Sequence, residues 1–419
     1  MKLHLTTAFS VFTALATCFH VHSQTNYTLQ KALQTARNNN PILKTELYNI
    51  EIAQTDVISA KLRPNLILNN QLLQLMQPSY FPVNSNWFSE RTSQIWWQLT
   101  KPFQVAGQRK YKVEVADKNV AFAQKKYTET ERDLFSQVAT KWMEVWTAQK
   151  QLDIIQTAKD NIDSLVITNK LRYKNQVITQ TDLFRTELLE KQYDIQYKTS
   201  RQELINRQKE LKFLIGTQDS VSIDADDAFL FAIPSDLDSL LNQSLQTRSD
   251  IQAAKSLMDA SESNIKLQKS LAVPQPELGL IYNPQNRIQY FGIYATIDLP
   301  FFSRNQGEIK KSYLLQKQAE QNLLTIQTKL QTEISTAYAS YDLQRKNIEN
   351  FKTVLSQSET ILENVKYAYL KGGTTIIDFL EAQRSWLETQ QQYYYALQQY
   401  RQSYIQLLYA TGLINQLAQ

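Results

Sequence analysis

Residues 138–166, VATKWMEVWTAQKQLDIIQTAKDNIDSLV, lie within a segment from Gln108 to Ile215 that contains neither glycine nor proline. A second segment without either residue runs from Glu308 to Lys371. Because glycine and proline are the residues that most often interrupt helices, both segments predict very long helices. At about 1.5 Å rise per residue, a helix of about 65 residues is a rod of roughly 100 Å, far longer than an ordinary globular domain.

Apolar residues recur within the quoted stretch at the spacing of a coiled-coil seam. They are Val138, Val145, Ala148, Leu152, Ile155, Ile162 and Val166. This spacing predicts that the rods pack side by side along their length. The other helix faces are rich in glutamine, asparagine, serine and threonine, as in Gln390 to Gln392. Two interpretations of these polar faces stay open, a solvated outer surface or the lining of a wide aqueous bore.

The N-terminus has the composition of a secretory signal peptide. Lys2 precedes a short apolar run from Leu5 to Ala16, and compact residues at Val21 and Ser23 predict cleavage before Gln24. The signal peptide is therefore assigned to residues 1–23. An alternative cleavage before Cys18, which follows a loose lipobox, would leave a lipidated N-terminus.

The predicted leader contains every histidine and the only cysteine of the chain. They are His4, His20, His22 and Cys18. A mature chain that starts at Gln24 therefore has no Ser/His or Cys/His nucleophile, no Cys/His zinc site and no disulfide. We predict no catalytic residue, no metal ligand and no cofactor. A hydrolase that uses carboxylates alone remains the enzyme alternative, and it would need a compact pocket.

The chain shows a tandem duplication. Leu29, Ala32, Leu33 and Ala36 recur 208 positions later as Leu237, Leu240, Leu241 and Ser244. Tyr173, Asp182 and Gly216 recur at an offset of 196 as Tyr369, Asp378 and Gly412. This conserved order predicts a first repeat at 24–216, an equatorial linker at 217–235 and a second repeat at 236–419.

Each repeat is predicted to contain a strand hairpin followed by a pair of long helices. The hairpins are placed at about 65–102 and about 276–300, and the helix pairs at about 106–215 and about 305–411. We expect Gly107 and Gly307 to mark the points where the hairpins become rods.

The predicted strands alternate between apolar and polar residues. Ser93, Ile95, Trp97 and Leu99 share one face, and Phe291, Ile293, Ala295, Ile297 and Leu299 share the corresponding face in the second hairpin. A soluble sheet with one buried face is one interpretation. Two features favour a lipid-facing sheet instead. Strands of about ten residues are long enough to cross a bilayer, and aromatic side chains such as Trp97 are typical of the membrane interface. Since the narrowest membrane barrels have about eight strands, several chains would have to contribute.

Two motifs resemble those of the TolC family of outer-membrane efflux proteins. One is Leu29-x-x-Ala32-Leu33-x-x-Ala36 ending in Asn40-Pro41, and the other is the cassette YLKGGTTIIDFLEAQR at 369–384. The resemblance implies a mainly α fold with a membrane β-barrel contribution. Three chains would form a twelve-stranded barrel with four strands from each, continued by long coiled-coil helices as a periplasmic α-barrel.

The resemblance also implies a function and a set of partners. The chain would be the passive outer-membrane channel of a tripartite efflux system, in a homotrimer surrounded by outer-membrane lipid and extending into the periplasm. Its partners would be a periplasmic adaptor of the membrane-fusion type and an inner-membrane pump of the RND type. No nucleic-acid partner is implied, and the near-neutral net charge of +5 also disfavours nucleic-acid binding. Residues 299–309 look like the divalent-cation efflux branch, so metal cations are one predicted cargo. The alternatives are a conduit for type I protein secretion and a periplasmic coiled-coil scaffold.

The family match assigns roles to two turns and two acids. The turns are Asn175, Gln176 and Val177 in the first repeat, and Gly372, Gly373 and Thr374 in the second. Both would be periplasmic tips where the adaptor docks, and Gln176 departs from the glycine that is usual there. Asp378 and Glu381 match the acidic constriction, where threefold symmetry would make carboxylate rings. The alternative is that both are surface acids that compensate the helix dipole.

Overall fold

The computed structural model describes residues 25–224, 236–285 and 288–418. The predicted signal peptide at 1–23 with both cleavage positions, and most of the predicted linker, lie outside these residues. The first repeat contains β1 (Thr25–Tyr27), α1 (Leu29–Asn39), α2 (Pro41–Lys61), β2 (Ile67–Gln74), β3 (Ser93–Pro102), α3 (Gln108–Lys174) and α4 (Gln180–Ile215). Strand β4 (Val221–Ile223) follows. The second repeat contains α5 (Leu237–Thr247), α6 (Ser249–Leu271), β5 (Glu277–Gln285), β6 (Ile288–Thr296), α7 (Gln306–Lys371) and α8 (Ile376–Thr411).

The predicted long rods are present as α3, with 67 residues, and α7, with 66. Each rod is flanked by two shorter helices of its own repeat, α2 and α4 beside α3, and α6 and α8 beside α7. Helix α3 also packs on α6 and α8, which joins the two repeats. The coiled-coil seam is confirmed, because its residues on α3 are buried except for the half-buried Leu152.

The two hairpins form one antiparallel sheet in the order β2-β3-β5-β6. The register places Leu68 opposite Leu99, Leu99 opposite Leu280, and Leu280 opposite Ile293. One face of the sheet is therefore apolar across all four strands, and these side chains are exposed. The opposite face carries buried polar groups at Thr100 and Asn283.

At the end of the second hairpin the predicted strand is too long, whereas the predicted junction at Gly307 is accurate to within one residue. Strand β6 ends at Thr296, so Ile297 and Leu299 lie beyond it, because its partner β5 begins at Glu277, directly opposite Thr296. Gly307 lies inside the first turn of α7. The left-handed residue at this junction is Asn305, with φ of 57°, and its side-chain amide donates to the Gln268 carbonyl at 2.8 Å.

Two hydrophobic cores hold the rods together. The larger lies midway along them, where Phe135, Trp142, Ile251 and Leu330 are buried. It also includes β1 and β4, which form a parallel pair, and the Trp142 indole donates to the Tyr27 carbonyl at 2.9 Å. A 3-10 helix, Ile414–Ala418, covers this core. The second core lies toward the turns between the long helices.

Helices end and begin at the larger core in both repeats. In the first, the Asn40 side chain caps α2 through the Ile42 N–H at 2.8 Å and donates to the Leu214 carbonyl near the end of α4 at 2.7 Å. In the second, Arg248 precedes α6 and donates to the Ala410 carbonyl near the end of α8 at 2.9 Å. We call these two places the first and second junctions.

None of the helices in the described ranges is long and apolar enough to cross a membrane.

Candidate functional site at the helical tips

The two turns between long helices have the same backbone geometry. In the first tip the Val177 N–H donates to the Arg172 carbonyl, and in the second the Gly373 N–H donates to the Ala368 carbonyl, both at 2.8 Å. These bonds close the C-termini of α3 and α7 in the manner of a Schellman motif. The left-handed position is Gln176 in the first tip, with φ of 58°, and Gly372 in the second, with φ of 78°.

Gln176 therefore does not change the shape of the first turn. A non-glycine residue in the left-handed region costs roughly 1–2 kcal/mol, because its Cβ approaches the following carbonyl. Glutamine in place of the usual glycine therefore raises the backbone energy at position 176 and leaves the shape of the turn unchanged.

Both returning helices begin with a capping box. Thr179 caps α4 by accepting from the Asp182 N–H at 3.1 Å, and Thr375 caps α8 by accepting from the Asp378 N–H at 3.2 Å. Each aspartate carboxylate in turn accepts from the threonine backbone N–H. Such boxes satisfy N–H groups that have no partner within the helix.

The predicted gate acids lie three residues apart within the first two turns of α8, and both are exposed. The Asp378 carboxylate accepts from the Thr374 hydroxyl at 2.6 Å and the Thr375 hydroxyl at 2.7 Å, and these bonds lower its pKa. Asp378 is therefore negative at neutral pH. Glu381 has no ion-pair partner among the described residues.

The equivalent turn of α4 has a different charge. Arg185 occupies the position that matches Glu381, and its guanidinium lies 3.7 Å from the Asp182 carboxylate. Asp182 and Arg185 at the start of α4 therefore neutralise each other, whereas the matching positions of α8 carry two negative charges. If the chain forms a threefold assembly, only the second tip could present rings of unneutralised carboxylates.

A buried polar network connects the two repeats just above the tips. The Asn169 amide on α3 donates to the Thr186 hydroxyl on α4 at 2.9 Å, and its oxygen accepts from the Tyr369 hydroxyl on α7 at 2.8 Å. The Tyr369 ring stacks on Phe379 of α8 with centroids 5.5 Å apart. On its other side the Arg172 guanidinium lies 4.8 Å from the ring centre. All four long helices therefore meet at Tyr369.

Sequence reasoning missed this network. Tyr369 was recognised only as a repeat marker, and Asn169 and Thr186 resemble the many polar residues of the helix faces. The sequence does contain one indication of the network, because Asn169 lies seven residues after Ile162 and therefore at a position of the coiled-coil seam. A polar residue at a seam position is a device that fixes register in coiled coils.

The described residues contain no group of three or more histidine, cysteine, aspartate or glutamate side chains that could hold a metal ion. The acids at the second tip are thus two carboxylates on a helix surface. They could attract passing cations, and within one chain they do not form a closed coordination site.

The sequence matches a family model described as outer membrane efflux protein over residues 240–413. It is also 21% identical to the cobalt-zinc-cadmium resistance protein CzcC of Cupriavidus metallidurans over 370 residues, which is 87% of this chain and 85% of that protein.

The fold is similar to those of solved outer-membrane channels. The Campylobacter jejuni CmeC outer membrane channel superposes with a TM-score of 0.75 at 16% identity, covering 98% of this chain and 94% of that one. A structure of CusC gives a TM-score of 0.75 at 17% identity, covering 93% and 92%. These likenesses extend over both repeats, beyond the region that the family model matches.

Proposed function

We propose that this chain is an outer-membrane efflux protein of the TolC family and that three copies form the exit duct of a tripartite efflux system. It lies in the outer membrane and extends into the periplasm. In this proposal the duct is passive. A periplasmic adaptor docks at the tips, and an inner-membrane pump of the RND type supplies the energy.

The observation that carries the proposal is the four-stranded sheet. One face is apolar across all four strands, and the outer edges of β2 and β6 have no partner strand within the described residues. An open sheet edge is not tolerated in lipid, because its backbone groups would lose their hydrogen bonds. Three copies pairing β6 with the next β2 would remove every edge and give twelve strands, a number within the known range for membrane barrels.

We place the gate and the adaptor contacts at the tips. Asp378 and Glu381 would form two carboxylate rings around the axis, which attract cations and impede anions. The adaptor would contact the turns at Asn175, Gln176 and Val177 and at Gly372, Gly373 and Thr374. The matching shape of the two turns supports this, because one adaptor element could meet both in a similar way.

Planar-bilayer recordings test the gate. We expect Asp378→Asn with Glu381→Gln to weaken block by divalent cations severalfold and to reduce cation selectivity, because both rings lose their charge. The matched control is Asp182→Asn with Arg185→Gln, which removes the equivalent capping acid and leaves the local net charge unchanged. Currents that stay the same in the first variant, or change equally in both, would remove the gate assignment.

For the cargo we propose divalent metal cations. The relative CzcC is described as a cobalt-zinc-cadmium resistance protein, and residues 299–309 carry the segment typical of that branch. Since the described residues hold no metal cluster, selection of the metal would take place in the pump.

A deletion strain tests the cargo. We expect increased sensitivity to cobalt, zinc and cadmium, restored by the intact gene, with little change toward organic toxicants. Sensitivity to detergents and dyes alone would replace metals with organic solutes as the cargo. Loss of a secreted polypeptide with normal resistance would favour type I secretion.

A further inference from the structure

Four helix ends meet at the base of the sheet. The Arg109 side chain on α3 donates to the Lys61 carbonyl at the end of α2 at 2.7 Å. The Gln108 amide donates to the Ser270 carbonyl near the end of α6 at 3.0 Å, and Asn305 at the start of α7 donates to Gln268 of α6. Basic residues on these ends are therefore neighbours on one level of the molecule.

The net positive charge of this level exceeds that of the whole chain. Residues 61–66, 101–112, 269–277 and 297–311 contain ten lysines and arginines and three acids, whereas the whole chain has a net charge of +5. At the opposite end of the sheet, residues 75–92 contain one arginine and one glutamate. Of the two ends of the sheet, only the base thus carries an excess of positive charge.

Six of these basic residues are exposed, and their side chains form neither an ion pair nor a hydrogen bond with any described residue. They are Lys61, Arg63, Lys110, Lys112, Lys269 and Lys310, and we call them the basic collar. A surface lysine on the rods commonly pairs with an acid three or four positions away, as Lys159 does with Asp163. Five collar residues have no acid three or four positions away. Lys110 lies four positions before Glu114, but Glu114 forms its ion pair with Lys266, so the collar charges are available to a ligand.

Part of the collar lies at the N-terminus of α3, where positive side chains destabilise the helix. Helix α3 begins Gln108-Arg109-Lys110-Tyr111-Lys112 and has no acid in its first turn. Positive charge at a helix N-terminus is unfavourable, because the helix dipole is already positive there. An anion in front of this end would relieve the repulsion from both the side chains and the dipole.

Exposed aromatic residues lie at the same level. Phe301 and Phe302 are 71% and 95% exposed, and Lys110 and Lys269 lie near the rings of Tyr111 and Tyr313. Basic and aromatic side chains together are typical of the boundary between a membrane and water. Lys61 and Arg63 precede β2, and Lys110 and Lys112 follow β3 at the start of α3, so the collar lies at the helical end of the sheet.

We propose that the basic collar binds the headgroup phosphates of anionic phospholipids in the periplasmic leaflet of the outer membrane. The apolar sheet face contacts the acyl chains, and the collar lies where the headgroups begin. Each lysine or arginine near an anionic membrane surface strengthens binding. This lipid site is independent of the cargo and of the tip gate.

Native mass spectrometry of the purified full-length protein tests the site. The protein is equilibrated with equal amounts of phosphatidylglycerol and phosphatidylethanolamine of the same acyl composition, and the lipids retained are counted. We expect the wild type to retain mainly phosphatidylglycerol. The variant Arg63→Gln, Lys110→Gln, Lys112→Gln should reduce this preference at least about threefold. Added salt should reduce it in the wild type as well.

Two matched variants isolate the local charge. Lys125→Gln, Lys126→Gln, Lys352→Gln removes three exposed, unpaired lysines farther along the rods and should keep the preference. The variant Arg63→Lys, Lys110→Arg, Lys112→Arg keeps the charge and should also keep it. If the glutamine variants of the collar and of the rods lose the preference for phosphatidylglycerol equally, the preference depends only on net charge, and the proposal is overturned.

Two further results would overturn the proposal. Displacement of phosphatidylglycerol by millimolar inorganic phosphate would indicate a site for the free ion, because a headgroup held with its acyl chains should resist it. Loss of the oligomer in the collar variant, seen in the same spectra, would assign these residues to contacts between subunits. Conductance and metal resistance report on the proposed channel separately, so failure of either proposal is recognisable.

Discussion

The first and second junctions occupy equivalent places in the two repeats and use different chemistry. At the first, the neutral amide of Asn40 connects α4 to α2. At the second, Arg248 occupies the matching position and is 3% exposed. Its guanidinium donates to Asp250 at 2.5 Å, to Glu333 at 2.8 Å and to the Ala410 carbonyl. The carbonyl near the end of the last helix is thus bound by one amide in the first repeat and by an arginine of a buried ionic network in the second.

A second buried arginine extends this network. Arg132 of α3 binds Glu129 at 2.6 Å, donates to the Tyr409 carbonyl at 2.8 Å and lies 4.3 Å from the Tyr409 ring centre. The second junction therefore joins α3, α6, α7 and α8, whereas the Asn40 amide joins only α2 and α4. A buried network of charges makes strong demands on geometry, because each charge left unpaired is costly. We infer that the second repeat is the more sensitive to substitution.

The largest expected effect tests this difference directly. Arg248→Asn introduces the residue of the first junction and removes the cation that binds both Asp250 and Glu333. Only the weaker contact of Arg132 to Asp250 at 3.8 Å and the pair of Lys329 with Glu333 at 3.1 Å would remain. Loss of one partner from a buried ion pair costs about 3–5 kcal/mol. Asn40→Ala should cost about 1–3 kcal/mol, the cost of an unsatisfied buried polar group. Thermal unfolding midpoints of the two variants in detergent should fall in that order, and equal midpoints would contradict the comparison.

The glycines that end α4 and α8 allow a second test. Both have positive φ, but a Cβ on Gly216 would lie 2.8 Å from the Asn39 carbonyl oxygen, while one on Gly412 would lie 3.1 Å from Cγ of Arg248. We expect Gly216→Ala to cost about 2–3 kcal/mol and Gly412→Ala about 1 kcal/mol. Here the first repeat should be the more sensitive one. The same unfolding measurement applies, and a larger loss at Gly412 would be the contrary result.

The ionic junction also predicts a dependence on pH. Burial alone would raise the pKa of Asp250, but the hydrogen bonds and charge of Arg248 outweigh it and hold the pKa below its usual range. Glu333 is shifted in the same direction. The stabilisation is therefore present above the unfolded-state pKa of about 4 and is lost as the pH falls through the lower folded-state pKa.

Acid titration of the unfolding midpoint measures this effect. Between about pH 5 and pH 2 the unfolding midpoint of the wild type should fall. We expect Asp250→Asn to make this fall smaller, because the variant lacks one carboxylate whose pKa is lowered by folding. The matched control is Asp194→Asn, since Asp194 pairs with Lys198 on an exposed helix face. A wild-type decline that Asp250→Asn leaves unchanged would contradict the assignment of the acid sensitivity to the second junction.

The smallest effect concerns the tips. Gln176→Gly should stabilise the protein by about 1 kcal/mol or less, because relief of the left-handed strain is partly offset by the greater freedom of glycine in the unfolded chain. Gly372→Gln should destabilise it by a similar amount. Because the turns share one geometry, a Gln176→Gly variant that loses stability would show that the glutamine side chain makes a contribution of its own.

The sequence predicted the elements that depend on local signals. The rods follow from the absence of glycine and proline, and the coiled-coil seam follows from apolar spacing. The capping threonines Thr179 and Thr375 precede an aspartate by three residues, a pattern that is readable without a structure. The location of Asp378 and Glu381 on one exposed face follows from their spacing alone.

Other features had no local signal. Strands β1 and β4 have three residues each, too few for an alternation pattern, and they form only because distant segments meet at Trp142. The end of β6 depends on where its partner begins. Asn305 replaces glycine at a left-handed position, and asparagine tolerates that conformation better than most residues.

The rods, the apolar strand face and the positions of the turns could be predicted from the sequence, because each depends on neighbours within a few residues. Which polar residues are buried became clear only from the packing of the helices. Arg132, Arg248 and Asn169 look like the surface residues around them in the sequence, yet each is at most 3% exposed. The reason is physical. A charge or amide can be buried only where partners from other helices satisfy it, and that is a property of the packed rods.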